Sequence, residues 1–351
     1  MKHVLILVGA ATLLVSTTAS ADEEGPKPEY IVEGEDLQDG EKERPEGLSW
    51  RLNAGATFSA QDNRSVVGQQ DGAAVSFGFK LDGGLEYVSG DHEWRNNLGV
   101  SAGVTRTPAV DRWVKAQDNL DVDSIYLYHI NDWFGAFARV AYNTTMFRGT
   151  DIRPAPTAYV INRRDGTEEE ANGVTTLGLT DPFKPSRFKE SLGLFAQPLK
   201  WKRLSVETRL GGGARQTLAA GQLALDDDPD ETPDAIEVKE LGDVFQVGAE
   251  AALEVWGQIE ESRVSYRASA EAMTPFYNNQ DVPAGEEKSA FELTNLAFRA
   301  ALSVKLVEWA SLDYELSAIR EPQLLDAFQV RNNLLLTFGL SAGGPEVEPE
   351  E

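Results

Sequence analysis

Between Leu48 and Ser341 apolar and polar side chains alternate with a period of two. Leu48, Trp50, Leu52, Ala54, Ala56 and Phe58 share one face of an extended segment, and Ser49, Arg51, Asn53, Gly55, Thr57 and Ser59 the other. Val75, Phe77, Phe79, Leu81, Leu85 and Tyr87 repeat the pattern against Ser76, Gly78, Lys80, Asp82, Gly84 and Glu86; Trp94, Leu98, Val100, Ala102 and Val104 do so a third time. Helical spacing would mix these sets. The same rule predicts twelve strands, near Leu48, Ala74, Trp94, Val122, Phe134, Phe188, Leu204, Phe245, Val264, Leu296, Leu312 and Phe328. Each is about ten or more residues long, enough for a tilted strand to cross a bilayer. Glu190 is the one ionisable residue in the apolar register. Charges facing lipid cost about 2–4 kcal/mol at mid-bilayer for Arg or Lys, so their exclusion points to a lipid-facing surface.

A soluble sandwich also alternates, and the connections separate the two cases. Short turns at Ser89, Asn131, Leu199, Gly257 and Val307 alternate with long links at 60–72, 106–120, 147–187, 217–242 and 277–290, and a shorter last one at 321–326. That is the plan of an all-β, up-and-down transmembrane β-barrel of about 12 antiparallel strands, with short periplasmic turns, long extracellular loops and both termini periplasmic. Trp50, Trp94, Trp133, Trp201, Trp256 and Trp309 fall beside the short turns, where an aromatic girdle is expected; Trp113 alone lies in a long connection.

The ends read differently. Lys2, an apolar run from Val4 to Val15 and the small residues Ala19 to Ala21 predict a signal peptide over 1–21. Residues 22–47 carry 11 acids and three bases and predict a disordered acidic periplasmic leader; the barrel then spans 48–341 and an acidic tail 342–351. The formal charge of −25 argues against nucleic-acid binding, and the absence of Cys excludes disulfides, thiolate metal sites and cysteine nucleophiles. Leader, tail and the stretch from Asp226 to Glu240 together hold 19 of the 25 excess negative charges, which leaves the barrel nearly neutral.

From Trp94 to Gly149 the chain resembles a family of bacterial outer-membrane barrels known as domain of unknown function 3078. The resemblance rests on Trp94, Asn96 and Leu98, on Asp121, Asp123, Ser124, Tyr126 and Tyr128, and on Trp133, Tyr142, Phe147 and Gly149. It implies a barrel in the Gram-negative outer membrane and no catalytic residues.

Candidate chemistry concentrates in the lumen. The polar register carries eleven bases and eight acids. In one reading Arg51, Arg95, Arg139, Arg209, Arg263, Arg267, Arg299 and Arg331 line a narrow, porin-like channel for small anionic solutes. In the other they pair with Glu207, Glu250, Glu254, Glu271, Asp313 and Glu315 and close the lumen, leaving a structural or surface-interaction barrel. The 41-residue third connection, with Arg148, Arg153, Arg163 and Arg164, offers a constriction by folding inward. No catalytic, cofactor or metal site is expected. A Ser–His enzyme needs its base at the outer rim, whereas His92 and His129 fall near short turns and His3 in the signal. Asp226, Asp228, Asp230, Asp234 and Glu237 imitate a calcium-loop spacing, but Glu231 stands where Gly is needed, so a hydrated acidic loop is expected. The partners expected are lipid bilayer, lipopolysaccharide and the barrel-assembly machinery, with the protein a monomer.

Overall fold

A computed structural model describes residues 46–63, 72–108, 110–201, 203–226, 234–259, 263–279, 288–307, 309–323 and 325–343. The expected signal peptide, nearly all of the leader and most of the tail lie outside these residues. The strands are β1 (Gly47–Asn63), β2 (Gly72–Ser89), β3 (His92–Thr107), β4 (Val110–Asn131), β5 (Phe134–Thr144), β6 (Gly149–Asn162), β7 (Glu168–Thr180), β8 (Ser186–Trp201), β9 (Leu204–Leu218), β10 (Leu223–Leu225), β11 (Ile236–Glu240), β12 (Val244–Ile259), β13 (Val264–Asn278), β14 (Asn295–Val307), β15 (Ala310–Glu321) and β16 (Leu325–Gly343).

Twelve of them close an antiparallel barrel in the order β1-β16-β15-β14-β13-β12-β9-β8-β5-β4-β3-β2. Closure comes from seven residue pairs between β1 and β16, from Arg51 opposite Gly343 to Thr57 opposite Thr337. These twelve are the strands expected from the period-two pattern. The short turns remain tight: Gly90, between β2 and β3, takes φ 56°, the left-handed backbone that glycine adopts without strain.

The outward register stays uncovered by protein. Leu48, Leu52, Phe79, Leu98, Val140, Leu253, Leu302 and Leu334 are exposed, and so are most of the larger outward side chains among the described residues. So continuous an apolar band is satisfied by lipid and not by water, which makes the fold a transmembrane β-barrel. Glu190 is exposed on that same outer surface, between Val140 and Ala214.

Trp50, Trp94, Trp133, Trp201 and Trp309 are exposed beside the short turns. Trp256 departs from this expected girdle. It pairs with Arg267 two positions beyond Glu254, and so falls on the inward register and is half-buried. Nearness to a turn placed it with the others; strand parity turns it inward. A second ring rims the other end of the barrel. There Phe58 packs on Phe77 at 5.2 Å, Phe77 on Trp113 at 5.6 Å and Tyr142 on Phe188 at 4.8 Å. Phe and Tyr, joined by Trp113, build this girdle.

The long third and fourth connections fold together. The β6–β7 hairpin joins β11 through a parallel pairing, Ile236 opposite Tyr159 to Lys239 opposite Asn162, giving the sheet β10-β11-β6-β7. Tyr159, Ile161, Leu223 and Val238 are buried between its strands. The Tyr159 hydroxyl donates to Asp151 Oδ2 at 3.0 Å, and burial pushes its pKa up. Three of the four arginines proposed for a constriction have local partners here: Arg148 with Asp181, Arg153 with Asp151, and Arg163 with Glu169. Asp226 of the calcium-like spacing is tied to Lys239 at 2.8 Å, while Asp228 and Asp230 lie outside the described residues.

Candidate functional site

The lumen brings together charges that the sequence sets far apart. Near the short-turn end an alternating chain crosses it. His129 Nε2 meets Glu93 Oε2 at 2.7 Å, Arg95 contacts Glu93, and Arg95 Nη1 reaches Glu207 Oε2 at 3.1 Å. Arg209 then joins Glu207 at 3.3 Å to Glu254 at 3.5 Å, and Arg267 closes the series on Glu254. Beside this chain Ile125, Leu127, Phe137 and Phe195 form a buried apolar cluster, with the His129 ring edge-on to Phe195 at 4.9 Å.

A second chain crosses at mid-height. Arg139 links Asp123 at 2.5 Å to Glu271 at 2.8 Å, and Lys189 links Glu271 at 2.5 Å to Glu250 at 3.3 Å. Elsewhere in the lumen Lys80 pairs with Glu315, Asp313 accepts from Ser303 and Ser311, and Arg51 donates to Asn97 at 2.8 Å. Arg299 is exposed within the inward register, beside Glu271, so solvent reaches between the chains.

One of the expected lining residues falls elsewhere, and one lies outside the described side chains. Arg263 lies in the turn before β13, where its carbonyl accepts from the Lys305 amide and its side chain is exposed at the barrel mouth. Parity alone cannot show that a strand starts one residue later. Arg331 stands opposite Ser317 in the register, but its side chain is outside the described set.

Several members of the chains were missing from the candidates: Glu93, Asp123, His129 and Lys189. A signal for all four exists: outward Trp94 turns the adjacent Glu93 inward. With Val122, Tyr126 and Tyr128 outward, strict parity turns Asp123 and His129 inward, and the same rule beside Phe188 turns Lys189 inward. Inward Ile125, Leu127 and Phe195 obscure it, because apolar side chains on the lumen side make both faces look alike.

The pairings also report the shape of the wall. Arg95–Glu207 and Arg139–Glu271 join strands four positions apart in the ring, and Arg187–Glu321, at 3.3 Å, joins strands five positions apart. With strands about 4.8 Å apart and tilted about 40°, a circular barrel of this strand number would be about 24 Å across. An extended Arg and Glu joined tip to tip reach only about 15 Å by ordinary bond lengths. The cross-section is therefore flattened. One tight corner is the inward pair Gly193 and Gly211, where a Cβ would lie 2.2 Å from Leu210 O or 2.1 Å from Leu192 O. Leu192 and Leu210 project from the outside of this corner, 70% and 65% exposed.

A family model described as "Protein of unknown function (DUF3078)" matches residues 68–149, a span that contains the resembling stretch from Trp94 to Gly149. No curated protein matches the chain. Among solved structures, the COG4313 outer membrane channel from Pseudomonas putida F1 is similar at 14% identity, covering 88% of this chain and 100% of that one, with a TM-score of 0.37. The translocator domain of the autotransporter NalP from Neisseria meningitidis gives 11% identity, 85% and 88% coverage and 0.34. The TodX monoaromatic hydrocarbon channel deltaS2 mutant gives 10% identity, 86% and 89% coverage and 0.30. Likenesses this low transfer neither solute nor partner.

Proposed function

We propose that this chain is a bacterial outer-membrane β-barrel, with its short turns and both termini in the periplasm, whose lumen is a narrow small-solute passage held shut by ion pairs. The observation that carries this reading is the pair of alternating charge chains. They tie together strands four positions apart while Arg299 between them stays wet. A barrel stabilised only from within is served as well by packed apolar side chains, since buried ion pairs contribute little net stability over them. Ion pairs, unlike packing, are exchangeable: a charged solute or a counter-ion can replace a partner, which suits a closed passage that opens.

The lipid-facing band would meet the outer leaflet, including lipopolysaccharide, at the Phe and Tyr ring. Single-channel recording in planar bilayers tests the function. The wild type is expected to open rarely and with small conductance. Glu207→Gln combined with Glu271→Gln, which interrupts both chains, is expected to raise open probability several-fold. Silence in both proteins overturns the channel reading and leaves a closed structural barrel. Heat-modifiable electrophoretic mobility tests the barrel separately, and a mature protein that remains soluble without detergent overturns the membrane placement.

A further inference from the structure

Above the mid-height chain the lumen contains donors with nothing to bind. Lys189 of β8, Arg215 of β9 and Gln246 of β12 occupy one rung, for Arg215 stands opposite both of the others. Two like charges directly opposite each other oppose pairing of the strands, so this rung works against the sheet that holds it. Lys189 is neutralised from below by Glu271 and Glu250. Arg215 is not: its Nε and Nη2 are buried without a hydrogen-bond partner.

Gln246 is 2% exposed, its Oε1 fixed by the Asn295 amide at 2.7 Å, and its Nε2 is likewise buried and unpartnered. Arg187, two residues from Lys189 on the same face, lies 3.3 Å from Glu321 through Nε, yet that atom makes no hydrogen bond. The unmet groups of Arg187, Arg215 and Gln246 are therefore all N–H donors, three of them on guanidinium groups, while an unpartnered acceptor, Glu250 Oε2, lies in the chain below. Buried donors without acceptors are rare in folded proteins and point to a missing partner.

We infer that this rung is a binding site for a small oxyanion, a carboxylate or phosphate solute, held by the Arg215 guanidinium and the Gln246 amide. A planar guanidinium matches the two oxygens of such groups through parallel N–H donors. The site lies in the half of the lumen nearest the long loops, since Arg187 and Gln246 are within the first three residues of β8 and β12. An anion entering from that side meets it before the mid-height chain. Once bound, it competes with Glu271 and Glu250 for Lys189 and so loosens the chain that closes the passage. The last step rests on the channel reading; the binding site does not.

Equilibrium dialysis of the full chain in detergent, with radiolabelled inorganic phosphate and with acetate as separate probes, tests it. Saturable binding of one anion per chain is expected. Arg215→Gln weakens it about tenfold or more, as loss of a charged hydrogen bond implies; Gln246→Leu weakens it several-fold, and Arg215→Lys has an intermediate effect. Arg263→Gln, at the barrel mouth, leaves binding unchanged. Heat-modifiable mobility confirms that each variant is folded. No saturable binding in the wild type, or equal binding by Arg215→Gln, overturns the proposal; in the first case Arg215 turns down to the free Glu250 Oε2 instead. Binding without conductance would retain the site and reject the channel, whereas conductance without binding would do the reverse.

Discussion

The two ends of the lumen use the same residue types and differ in how completely those residues are paired. At the short-turn end Glu207 is 2% exposed and shared between Arg95 and Arg209, and an apolar cluster fills the neighbouring space. At the long-loop end Arg215 and Gln246 keep buried donors without acceptors. A chain whose charges are all paired holds one arrangement against alternatives, while an unpaired buried charge is relieved by a ligand. One end is built to stay as it is, and the other to receive something.

The largest expected effect is at the end where the charges are paired. Glu207→Ala strips one of two partners from the half-buried Arg95 and the buried Arg209; breaking a buried pair outright costs about 3–5 kcal/mol, and the retained Glu93 and Glu254 set the expected loss below that. A fall in the temperature at which the folded band disappears in heat-modifiable electrophoresis would register it. Gly193→Ala strikes the corner that allows both ends to be bridged. A methyl forced against Leu210 O is expected to cost about 1–3 kcal/mol, as overpacking does, and to raise conductance by pushing the walls apart. Arg215→Gln sharpens the comparison by its opposite sign: no ion pair is lost and a like-charge pair is relieved, so denaturant unfolding should show unchanged or increased stability. A drop like that of Glu207→Ala would mean the two ends are not different in kind. Leu192→Ala, on the lipid side of the same corner, should shift stability by less than about 1 kcal/mol, because its outer surface stays in lipid.

The wall was readable with little else than parity. Leu48 to Phe58, and eleven further segments, became strands because a lipid face and a wet face impose period two wherever they occur. The lumen was readable only in part. Arg95, Arg139 and Glu271 were visible as inward charges. Their partners Asp123 and Lys189 were masked by apolar residues sharing the inward face, Glu93 stands at the very edge of its strand beside a short turn, and Trp256 was misplaced by nearness to its turn. The third and fourth connections gave no sign of pairing with each other, since the parallel register of β11 on β6 joins residues more than 70 positions apart.

Sequence by itself determined the sidedness of the wall: which face of each strand meets lipid, and about how many strands close the ring. Those are consequences of local backbone geometry repeated along the chain. Which inward charges touch was decided only by the tertiary structure. Arg139 and Glu271 meet because the ring closes, folds sharply at Gly193 and Gly211, and flattens until distant strands face each other within reach of two side chains. The same closure leaves Arg215 between Lys189 and Gln246, with no acid opposite it on either neighbouring strand, a property of the rung and not of any one residue on it.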